Sequence, residues 1–314
     1  MKRKLFSVLM AAVITATLVS AFTVSAFAQE TAQLEEIDYD LGVGMLDTPD
    51  IPDNYKDDAE HPGTVTTVTY DNGIGEKFFN IYLPYGYEDS TDSYNVLYIV
   101  HGNGGDPTNY LKADKDTAIK KMLDHMIEDG LCEPFIMAAV SWRPTNEEGF
   151  EDDPEGKIDY TVYFAQEELP NVIIPYVDAN YRTNADRDHR AFAGFSRGGV
   201  TTWNVIMYDM KDFATFLPFS GHCMIDGVEG FDATVAAMAD AIAAEGMTAD
   251  DFAIYCATGS LDTALPNLVP QMKAMQENEM FKFGENTFFG VKEGIVHGDP
   301  NSKYYLYAIL PIMW

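Results

Sequence analysis

The residues Arg190–Val200 constrain the fold of this chain more than any other stretch. They join a short apolar run to the pentapeptide Gly194-Phe-Ser-Arg-Gly198, which has the form Gly-x-Ser-x-Gly. Side chains in place of the two glycines would collide across the turn. Apolar residues then recur at helical spacing, at Val200, Trp203, Met207 and Met210. The pattern predicts a tight strand-to-helix corner from which the Ser196 hydroxyl projects as a nucleophile.

The first 28 residues have the composition of a secretory signal. The segment begins with basic residues, continues as an apolar run from Leu5 to about Val24, and ends at Ala26-Phe-Ala28 in a small-x-small pattern. This pattern predicts cleavage before Gln29 and secretion of the mature chain. A membrane anchor is the alternative, because the apolar run is long enough to span a bilayer.

The net charge limits the partners of the chain. The sequence carries −30 at neutral pH, and loss of the signal removes three basic and no acidic residues, which gives −33. Such a charge argues against binding to nucleic acid or to an anionic membrane surface, and it disfavours strongly anionic polymers. It suits a soluble secreted protein that acts on neutral material, with no membrane partner after signal cleavage.

The remaining sequence predicts one large α/β domain. Residues 29–62 are acidic and aperiodic, and they predict an extended lead-in that wraps the domain or, alternatively, a disordered tail. Residues 63–314 begin with two strands and then alternate strands with helices, which predicts a mostly parallel central sheet with helices on both faces. The predicted strands are 64–70, 77–83, 94–100, 135–140, 190–195, 213–220, 252–257 and 288–291. The predicted helices include 118–127, 233–245, 265–278 and a stretch that ends near Tyr181 with kinks at Pro170 and Pro175.

The three cysteines predict neither a disulfide framework nor a metal centre. Cys132, Cys223 and Cys256 are widely spaced and lack metal-ligand spacing. One bridge between Cys223 and Cys256 and three buried thiols are both compatible with the sequence. No phosphate-binding loop or dinucleotide fingerprint is apparent, so no metal and no cofactor is expected.

A nucleophilic serine needs a histidine base and an orienting carboxylate. Only His222 and His297 follow Ser196 in the chain. In the order Ser, acid, His that such sheets use, His297 is the favoured base, because it follows the last predicted strand between Gly294 and Gly298. His222 precedes every acid on a later strand, and we expect it to line the cleft.

The acid is expected at the carboxyl end of a late strand. Asp262 occupies that position, just beyond the strand 252–257. Asp251 precedes the strand and points to its wrong end, and Asp299 is too close to His297 to be the usual partner. A role for Asp262 as a helix cap is the structural alternative.

The tetrahedral intermediate of acyl transfer needs hydrogen-bond donors for its oxyanion. The N–H of Arg197, directly after the nucleophile, is one candidate donor. The other is expected from His101-Gly-Asn-Gly-Gly105, with the N–H of Asn103 favoured and Gly102 or Gly104 possible. His101 is expected to support the scaffold.

Two further features of the sequence could contact a substrate. Trp142 follows a strand at its carboxyl end, where ligands gather in open α/β sheets. Gly104 brings backbone close to the same edge. The acidic loop 143–160 is expected either to form a lid over the cleft or to be solvated surface.

Four motifs carry a resemblance to a known family. They are Tyr82-Leu-Pro-Tyr-Gly-Tyr87, Val96-Leu-Tyr-Ile-Val-His-Gly-Asn-Gly-Gly105, Ala193-Gly-Phe-Ser-Arg-Gly-Gly199 and Phe219-Ser-Gly221. In order and spacing they resemble carbohydrate esterase family 1, the esterase D-like group that contains bacterial feruloyl esterases and acetyl xylan esterases. The similarity covers roughly residues 63–314.

The resemblance implies an α/β-hydrolase fold, a triad of Ser196, Asp262 and His297, and no cofactor. The expected function is that of a secreted serine esterase that releases ferulate or related hydroxycinnamates from hemicellulose fragments, with a small-molecule or oligosaccharide ester as substrate. Acetyl xylan esterase or other carboxylesterase activity and acyl transfer on the same triad are the alternatives. A non-catalytic binding protein on this fold is a third class.

Overall fold

Eight strands form the central sheet of the computed structural model, which describes residues 37–73, 75–144 and 159–314. They are β1 Thr64–Asp71, β2 Glu76–Leu83, β3 Asn95–Val100, β4 Phe135–Val140, β5 Arg190–Phe195, β6 Thr215–Phe219, β7 Ala253–Leu261 and β8 Thr287–Val296. Their order across the sheet is β1-β2-β4-β3-β5-β6-β7-β8. The β1–β2 and β2–β4 pairs are antiparallel and the remaining pairs are parallel. The mostly parallel α/β sheet is therefore confirmed.

Helices follow most of the parallel strands. They are α1 Ala118–Glu128, α2 Tyr160–Tyr163, a π-helical segment Phe164–Ile173, α3 Ile174–Asn180, α4 Arg197–Tyr208, α5 Phe231–Ala244, α6 Leu265–Gln276 and α7 Ser302–Ile309. α1 begins after Thr117, whose hydroxyl accepts the Lys120 N–H at 3.1 Å. The predicted signal 1–28 and residues 145–158 of the predicted lid lie outside the described residues.

Alternation along the central strands divides the core between the two faces of the sheet. On one face, Leu97 and Ile99 of β3 belong to a buried apolar cluster with side chains of α1 and α7. On the other face, Tyr98 packs edge-on against Phe213 at 5.7 Å, and Phe192 of β5 packs against Phe213 at 5.6 Å. Because both faces of the central strands are covered, these strands are uniformly apolar.

The helical stretch before the elbow strand is irregular at its two prolines, as the sequence predicts: Pro170 lies in a π-helical segment and Pro175 in the first turn of α3. The sequence predicts a break or kink at Pro170, because proline removes one backbone donor and its ring crowds the preceding turn. In the structure the helix continues from α2 to α3 through the π-helical segment, which contains Pro170. The wider π turn accommodates the proline, which has no N–H to donate to the preceding turn.

The lead-in segment from Tyr39 onward belongs to the same compact unit as the sheet. Its backbone pairs with β8, since the Leu46 N–H donates to the Phe289 carbonyl and the Phe289 N–H donates to the Gly44 carbonyl, both at 2.9 Å. Farther along, the Tyr55 hydroxyl donates to Asp129 at the end of α1, at 2.5 Å. The described part of the lead-in thus runs along the edge of the sheet and onto α1.

The last two strands are longer than the sequence predicts. β7 ends at Leu261 and β8 at Val296, and these residues pair with each other at the end of the ladder. Close approach is possible because Gly259 has no side chain: a Cβ there would lie 2.0 Å from the Ile295 carbonyl oxygen. His297 therefore follows its strand directly, whereas the sequence predicts a longer loop before it.

The described residues contain no helix long and apolar enough to cross a membrane. The three thiols are free, so the predicted alternative of a Cys223–Cys256 bridge is not formed. Cys223 and Cys256 are buried, and burial raises the pKa of the Cys223 thiol to about 12. These thiols act as small apolar side chains of the core.

Candidate active site

The Gly-x-Ser-x-Gly segment forms the sharp corner that its sequence predicts. Ser196 lies between β5 and α4 with φ of 56° and ψ of −114°, a conformation that non-glycine residues rarely adopt. A Cβ on Gly194 would lie 2.1 Å from the Gly198 carbonyl oxygen, and one on Gly198 would lie 2.4 Å from the Val100 carbonyl oxygen. The corner is held by the Ser196 N–H, which donates to the Phe219 carbonyl at 2.8 Å. Both glycines are therefore required by contact, and the backbone strain at Ser196 is concentrated at the nucleophile.

The structure brings Ser196, His297 and Asp262 into one hydrogen-bonded line. His297 Nε2 lies 2.9 Å from Ser196 Oγ, and His297 Nδ1 lies 2.7 Å from Asp262 Oδ1. With Nδ1 protonated, the imidazole donates to Asp262 and accepts the serine proton at Nε2. Asp262 is fully buried, and its Oδ1 also accepts the Ala264 N–H at 2.8 Å. This arrangement can remove a proton from the serine and stabilise the resulting imidazolium.

The three residues meet because of the sheet topology. Ser196, Asp262 and His297 each follow the last residue of a parallel strand, respectively β5, β7 and β8. The carboxyl ends of parallel strands meet at one edge of a sheet, where ligands bind in open α/β folds. The ring of Phe195 packs against the His297 ring, with centroids 4.7 Å apart, and restricts its rotation.

The predicted oxyanion donors flank the nucleophile. The N–H of Arg197 begins α4, and Asn103 lines the same cleft from the glycine-rich loop after β3. A Cβ on Gly102 would lie 3.2 Å from Ser196 Cβ, which shows how closely this loop approaches the serine. The Gly102 N–H is donated to Asp299 at 2.8 Å and is not available to a substrate. Asn103 and Gly104 are both exposed, but only Asn103 lines the cleft, so its N–H remains the favoured candidate donor from this loop.

A cleft of about 480 Å³ opens in front of the serine. This volume lies within the range of small-molecule sites. Its lining among the described residues consists of Asn103, Ser196, Arg197, Val200, Ser220, Gly221, His222, Met224, Thr263, Ala264, Asn267 and His297. His222 packs edge-on against Phe231 at 6.0 Å, and burial lowers the pKa of its imidazole. His222 therefore lines the cleft as an uncharged group near neutral pH.

Comparison with known proteins agrees with this geometry. Residues 75–292 match a family model described as "Putative esterase". The chain belongs to this esterase family. This match, together with the relatives and the solved structure described below, confirms the α/β-hydrolase fold and the resemblance to carbohydrate esterase family 1.

Two curated relatives are much longer than this chain. The chain is 32% identical to endo-1,4-beta-xylanase Y of Acetivibrio thermocellus over 275 residues, which cover 83% of this chain and 24% of the xylanase. It is 34% identical over 154 residues to an endo-1,4-beta-xylanase/feruloyl esterase of Xylanibacter ruminicola, covering 47% of this chain and 20% of that protein. The chain thus spans about a quarter or less of the length of these relatives.

A solved structure is similar over most of its length. It is a serine-to-alanine mutant of the feruloyl esterase module from Clostridium thermocellum, complexed with sinapinate. The TM-score is 0.73 at 28% sequence identity, and the match covers 88% of this chain and 95% of that module.

Trp142 does not reach the cleft of this esterase. Its side chain is 7% exposed, and its Nε1–H donates to the His101 carbonyl at 2.8 Å. A buried indole needs an acceptor for its N–H, and the backbone of the glycine-rich loop provides one. The prediction that Trp142 contacts substrate is therefore not supported, because the side chain supports the loop from below.

His101 has the scaffold role that the sequence predicts. Its Nδ1 lies 2.8 Å from the Gly102 carbonyl oxygen and its Nε2 lies 2.8 Å from Ser141 Oγ. Burial lowers the pKa of the His101 imidazole, so the ring is neutral and one of its nitrogens accepts a hydrogen bond. His101 therefore joins the ends of β3 and β4 beneath the site.

The side chain of Arg197 makes a contact that the sequence does not predict. Its guanidinium donates to both oxygens of Asp159, each at 3.1 Å. Burial alone would raise the pKa of Asp159, but hydrogen bonds from Thr161 and the Arg197 charge outweigh it and lower the pKa. The Arg197 guanidinium at the cleft is thus paired with a carboxylate.

Within the described part of the chain, one group of side chains has the spacing of metal ligands. Glu60, His61 and Glu128 place ligand atoms within 4.8 Å of one another and are all exposed. None of the three lines the cleft. A direct contact of 2.8 Å between His61 Nδ1 and Glu128 Oε1 accounts for their proximity.

Proposed function

We propose that this chain is a serine esterase that hydrolyses feruloyl or related hydroxycinnamoyl esters on hemicellulose fragments. The observation that carries the proposal is the hydrogen-bonded line from Ser196 through His297 to Asp262, with spacings of 2.9 and 2.7 Å. Similarity to the feruloyl esterase module complexed with sinapinate supports an aromatic acyl group.

The proposed acylation step follows from this geometry. Ser196 Oγ attacks the ester carbonyl carbon while its proton passes to His297 Nε2, and Asp262 stabilises the imidazolium. The negative charge that develops on the carbonyl oxygen is stabilised by the N–H groups of Arg197 and Asn103. The tetrahedral intermediate then collapses to the acyl-enzyme as the carbon–oxygen bond to the sugar breaks, and the imidazolium protonates the departing sugar alkoxide to give the free hydroxyl.

Deacylation repeats the same steps with water as the nucleophile. His297 removes a proton from water, which attacks the acyl-enzyme and releases the carboxylic acid and free Ser196. The His297 side chain is 32% exposed, so water reaches the base. This access favours hydrolysis over transfer of the acyl group to another acceptor.

The charge of the chain supports a neutral sugar ester as substrate. The chain has a net charge of −30, and the Arg197 guanidinium at the cleft is paired with Asp159. A free anion would be repelled at long range and would find no unpaired cation among the described residues that line the cleft. A feruloyl ester of a neutral oligosaccharide carries no such charge.

An ester panel tests the proposal. The mature protein is assayed on methyl ferulate, p-nitrophenyl acetate and acetylated xylan, with Ser196→Ala as the inactive control. We expect a higher kcat/KM on methyl ferulate than on acetylated xylan. Faster turnover of acetylated xylan would replace the feruloyl assignment by acetyl xylan esterase activity, and transfer products formed with added sugar acceptors would replace hydrolysis by acyl transfer.

We also propose that the chain is secreted after cleavage before Gln29. The basic, apolar and small-x-small parts of residues 1–28 support this proposal. Expression in a host with a secretion pathway, followed by N-terminal sequencing of the protein in the medium, tests it. Retention of residues 1–28 in a membrane fraction would favour the anchor alternative.

A further inference from the structure

The carboxylate of Asp299 has partners that the triad does not explain. Asp299 is half-buried and lies two residues after His297. Its Oδ1 accepts the Gly102 N–H at 2.8 Å and the Tyr110 hydroxyl at 3.2 Å, and its Oδ2 accepts Asn109 Nδ2 at 2.8 Å. All three donors lie on the loop that carries Asn103. One carboxylate, which lies 197 residues after Gly102 in the sequence, therefore contacts both ends of this loop.

We propose that Asp299 is a positioning residue for the oxyanion hole. This inference rests on the proposed esterase function. The Asp299 contact fixes the peptide plane before Gly102. The next plane, which carries the Asn103 N–H, is held at the Gly102 carbonyl, which lies 2.8 Å from His101 Nδ1 and accepts the Gly105 N–H at 3.2 Å. With both planes held, the direction of the Asn103 N–H is set. Contact distances leave little freedom, because a Cβ on Gly102 would lie 3.2 Å from Ser196 Cβ and 3.3 Å from Asp299 Oδ1.

The far end of the loop is fixed by the same carboxylate. The Tyr110 side chain is fully buried, and its hydroxyl lies 3.1 Å from the Val100 carbonyl oxygen as well as 3.2 Å from Asp299 Oδ1. The hydroxyl proton is shared between these acceptors. Asp299 is thereby tied to the end of β3, which is part of the rigid sheet.

The base and the oxyanion donor consequently share one support. His297 and Asp299 belong to a short segment that is closed by Asn301, whose Nδ2 donates to the Val296 carbonyl at 2.7 Å and whose N–H donates to the Gly298 carbonyl at 2.9 Å. A shift of this segment would move the imidazole and the loop together. Preorganised donors lose effect when they move away from the developing charge.

An amide does not reproduce all three contacts of the carboxylate while Asn109 keeps the orientation that it has in the structure. The introduced amide of Asp299→Asn can still accept the Gly102 N–H through its oxygen, but its NH₂ group would face the NH₂ group of Asn109. The second substitution Asn109→Asp restores a donor–acceptor pair with the reverse polarity. If the contact between residues 109 and 299 positions the loop, the double variant recovers activity. If each native side chain is needed for another reason, the double variant stays slow.

The test measures hydrolysis of p-nitrophenyl acetate and the rate of labelling by a fluorophosphonate, neither of which requires a feruloyl group. Complete loss of one oxyanion donor costs about 10² to 10³ in kcat. For Asp299→Asn we expect a smaller loss of about 10- to 100-fold in kcat and in labelling rate, with KM changed by less than about threefold. The double variant Asp299→Asn/Asn109→Asp is expected to recover at least about tenfold of that loss.

A matched control is available on the same loop. Asp106→Asn makes the same chemical change at an exposed residue whose carboxylate accepts only the Thr108 N–H at 2.7 Å, and an amide oxygen can accept that bond. We expect its activity to stay within about twofold of the wild type. Circular dichroism melting curves on all variants check that each is folded.

The outcomes distinguish this inference from the proposed function. An active wild type together with an Asp299→Asn variant that keeps more than half of its kcat overturns the positioning role alone. A folded double variant that stays as slow as the single variant does the same. If Asp299→Asn fails to fold, Tyr110→Phe removes one donor to the carboxylate, and an unchanged kcat in that variant overturns the inference. A wild type that neither hydrolyses esters nor takes the label overturns both proposals.

Discussion

The two ends of α4 differ in how the buried carboxylates near them are hydrogen-bonded. At its N-terminal end, Ser196 is hydrogen-bonded to His297, and Asp262 behind it is fully buried. At its C-terminal end, Asp209 is also fully buried, but no N–H or hydroxyl group among the described residues donates to its carboxylate oxygens, and its hydrogen-bonding neighbour is another acid, Asp212. The nearest cation, Lys211 Nζ, lies 3.9 Å away and is largely exposed.

The difference shows that burial alone does not produce a functional carboxylate. Burial, reinforced by the neighbouring Asp212, raises the pKa of Asp209 to about 9, against a smaller opposing effect of Lys211 and Arg190. Asp209 also lies at the negative end of the α4 dipole, which disfavours an anion there. Asp262, in contrast, has two N–H donors on Oδ1, although its Oδ2 has no partner among the described residues.

Loss of the nucleophile should give the largest effect. We expect Ser196→Ala to lower kcat by about 10⁶-fold, because no other group in the line can form the acyl-enzyme. Hydrolysis of p-nitrophenyl acetate at pH 7.5 and fluorophosphonate labelling measure the change. The exposed Ser93→Ala variant is the control and should remain fully active. Labelling that persists in Ser196→Ala would assign the nucleophile to another residue.

Loss of the buried carboxylate at the functional end should give the next largest effect. Asp262→Asn is expected to lower kcat by roughly 10⁴-fold, because the amide favours the wrong imidazole tautomer at His297. The same assay measures it, with Asp250→Asn as a control whose side chain is 83% exposed. A loss below tenfold would show that the Asp262 contact does not orient the base.

The corner itself should be sensitive to a single methyl group. Gly198→Ala would place a Cβ 2.4 Å from the Val100 carbonyl oxygen and 2.8 Å from the His101 carbonyl oxygen. Because both atoms are backbone, we expect a loss of roughly 4 kcal/mol or more in the free energy of unfolding.

Gly130→Ala is the matched control for this collision. Gly130 has a φ of +68° but nothing within 4 Å of an added Cβ, so this change introduces backbone strain without contact. We expect a cost of about 1 kcal/mol in urea-induced unfolding. Equal losses for the two variants would refute the role of close contact at Gly198.

The opposite end of α4 should respond in stability and not in activity. Between pH 4 and pH 9, folded Asp209 retains a proton that the unfolded chain has released, so this residue makes stability fall as pH rises. Asp209→Asn removes this dependence. The measured quantity is the gain in melting temperature of the variant over the wild type. We expect this gain to be about 2 to 5 °C larger at pH 8.5 than at pH 5, with kcat unchanged.

Asp188→Asn is the control for this pH effect, because the Asp188 side chain is 73% exposed beside Arg187. We expect no pH-dependent gain from it. A melting-temperature difference for Asp209→Asn that is the same at both pH values would contradict the raised pKa of Asp209.

The sequence by itself determined which residues form the candidate triad that the structure brings together. Glycines flank Ser196 because backbone oxygens fill the space of their side chains, and this requirement is visible in five consecutive residues. Asp262 and His297 were predictable because strand ends and chain order restrict which acid and which histidine can reach the serine. The buried strands were likewise readable from uniform apolar runs.

Only the tertiary structure decided which groups meet across the chain. The pairing of β7 with β8 extends both strands and places His297 directly at a strand end. Trp142 follows its strand as predicted, yet its indole turns to a backbone carbonyl under the loop. Asp299, set aside as an acid because of its closeness to His297, contacts a loop 197 residues earlier. Such contacts depend on three-dimensional packing, and spacing along the chain contains no signal for them.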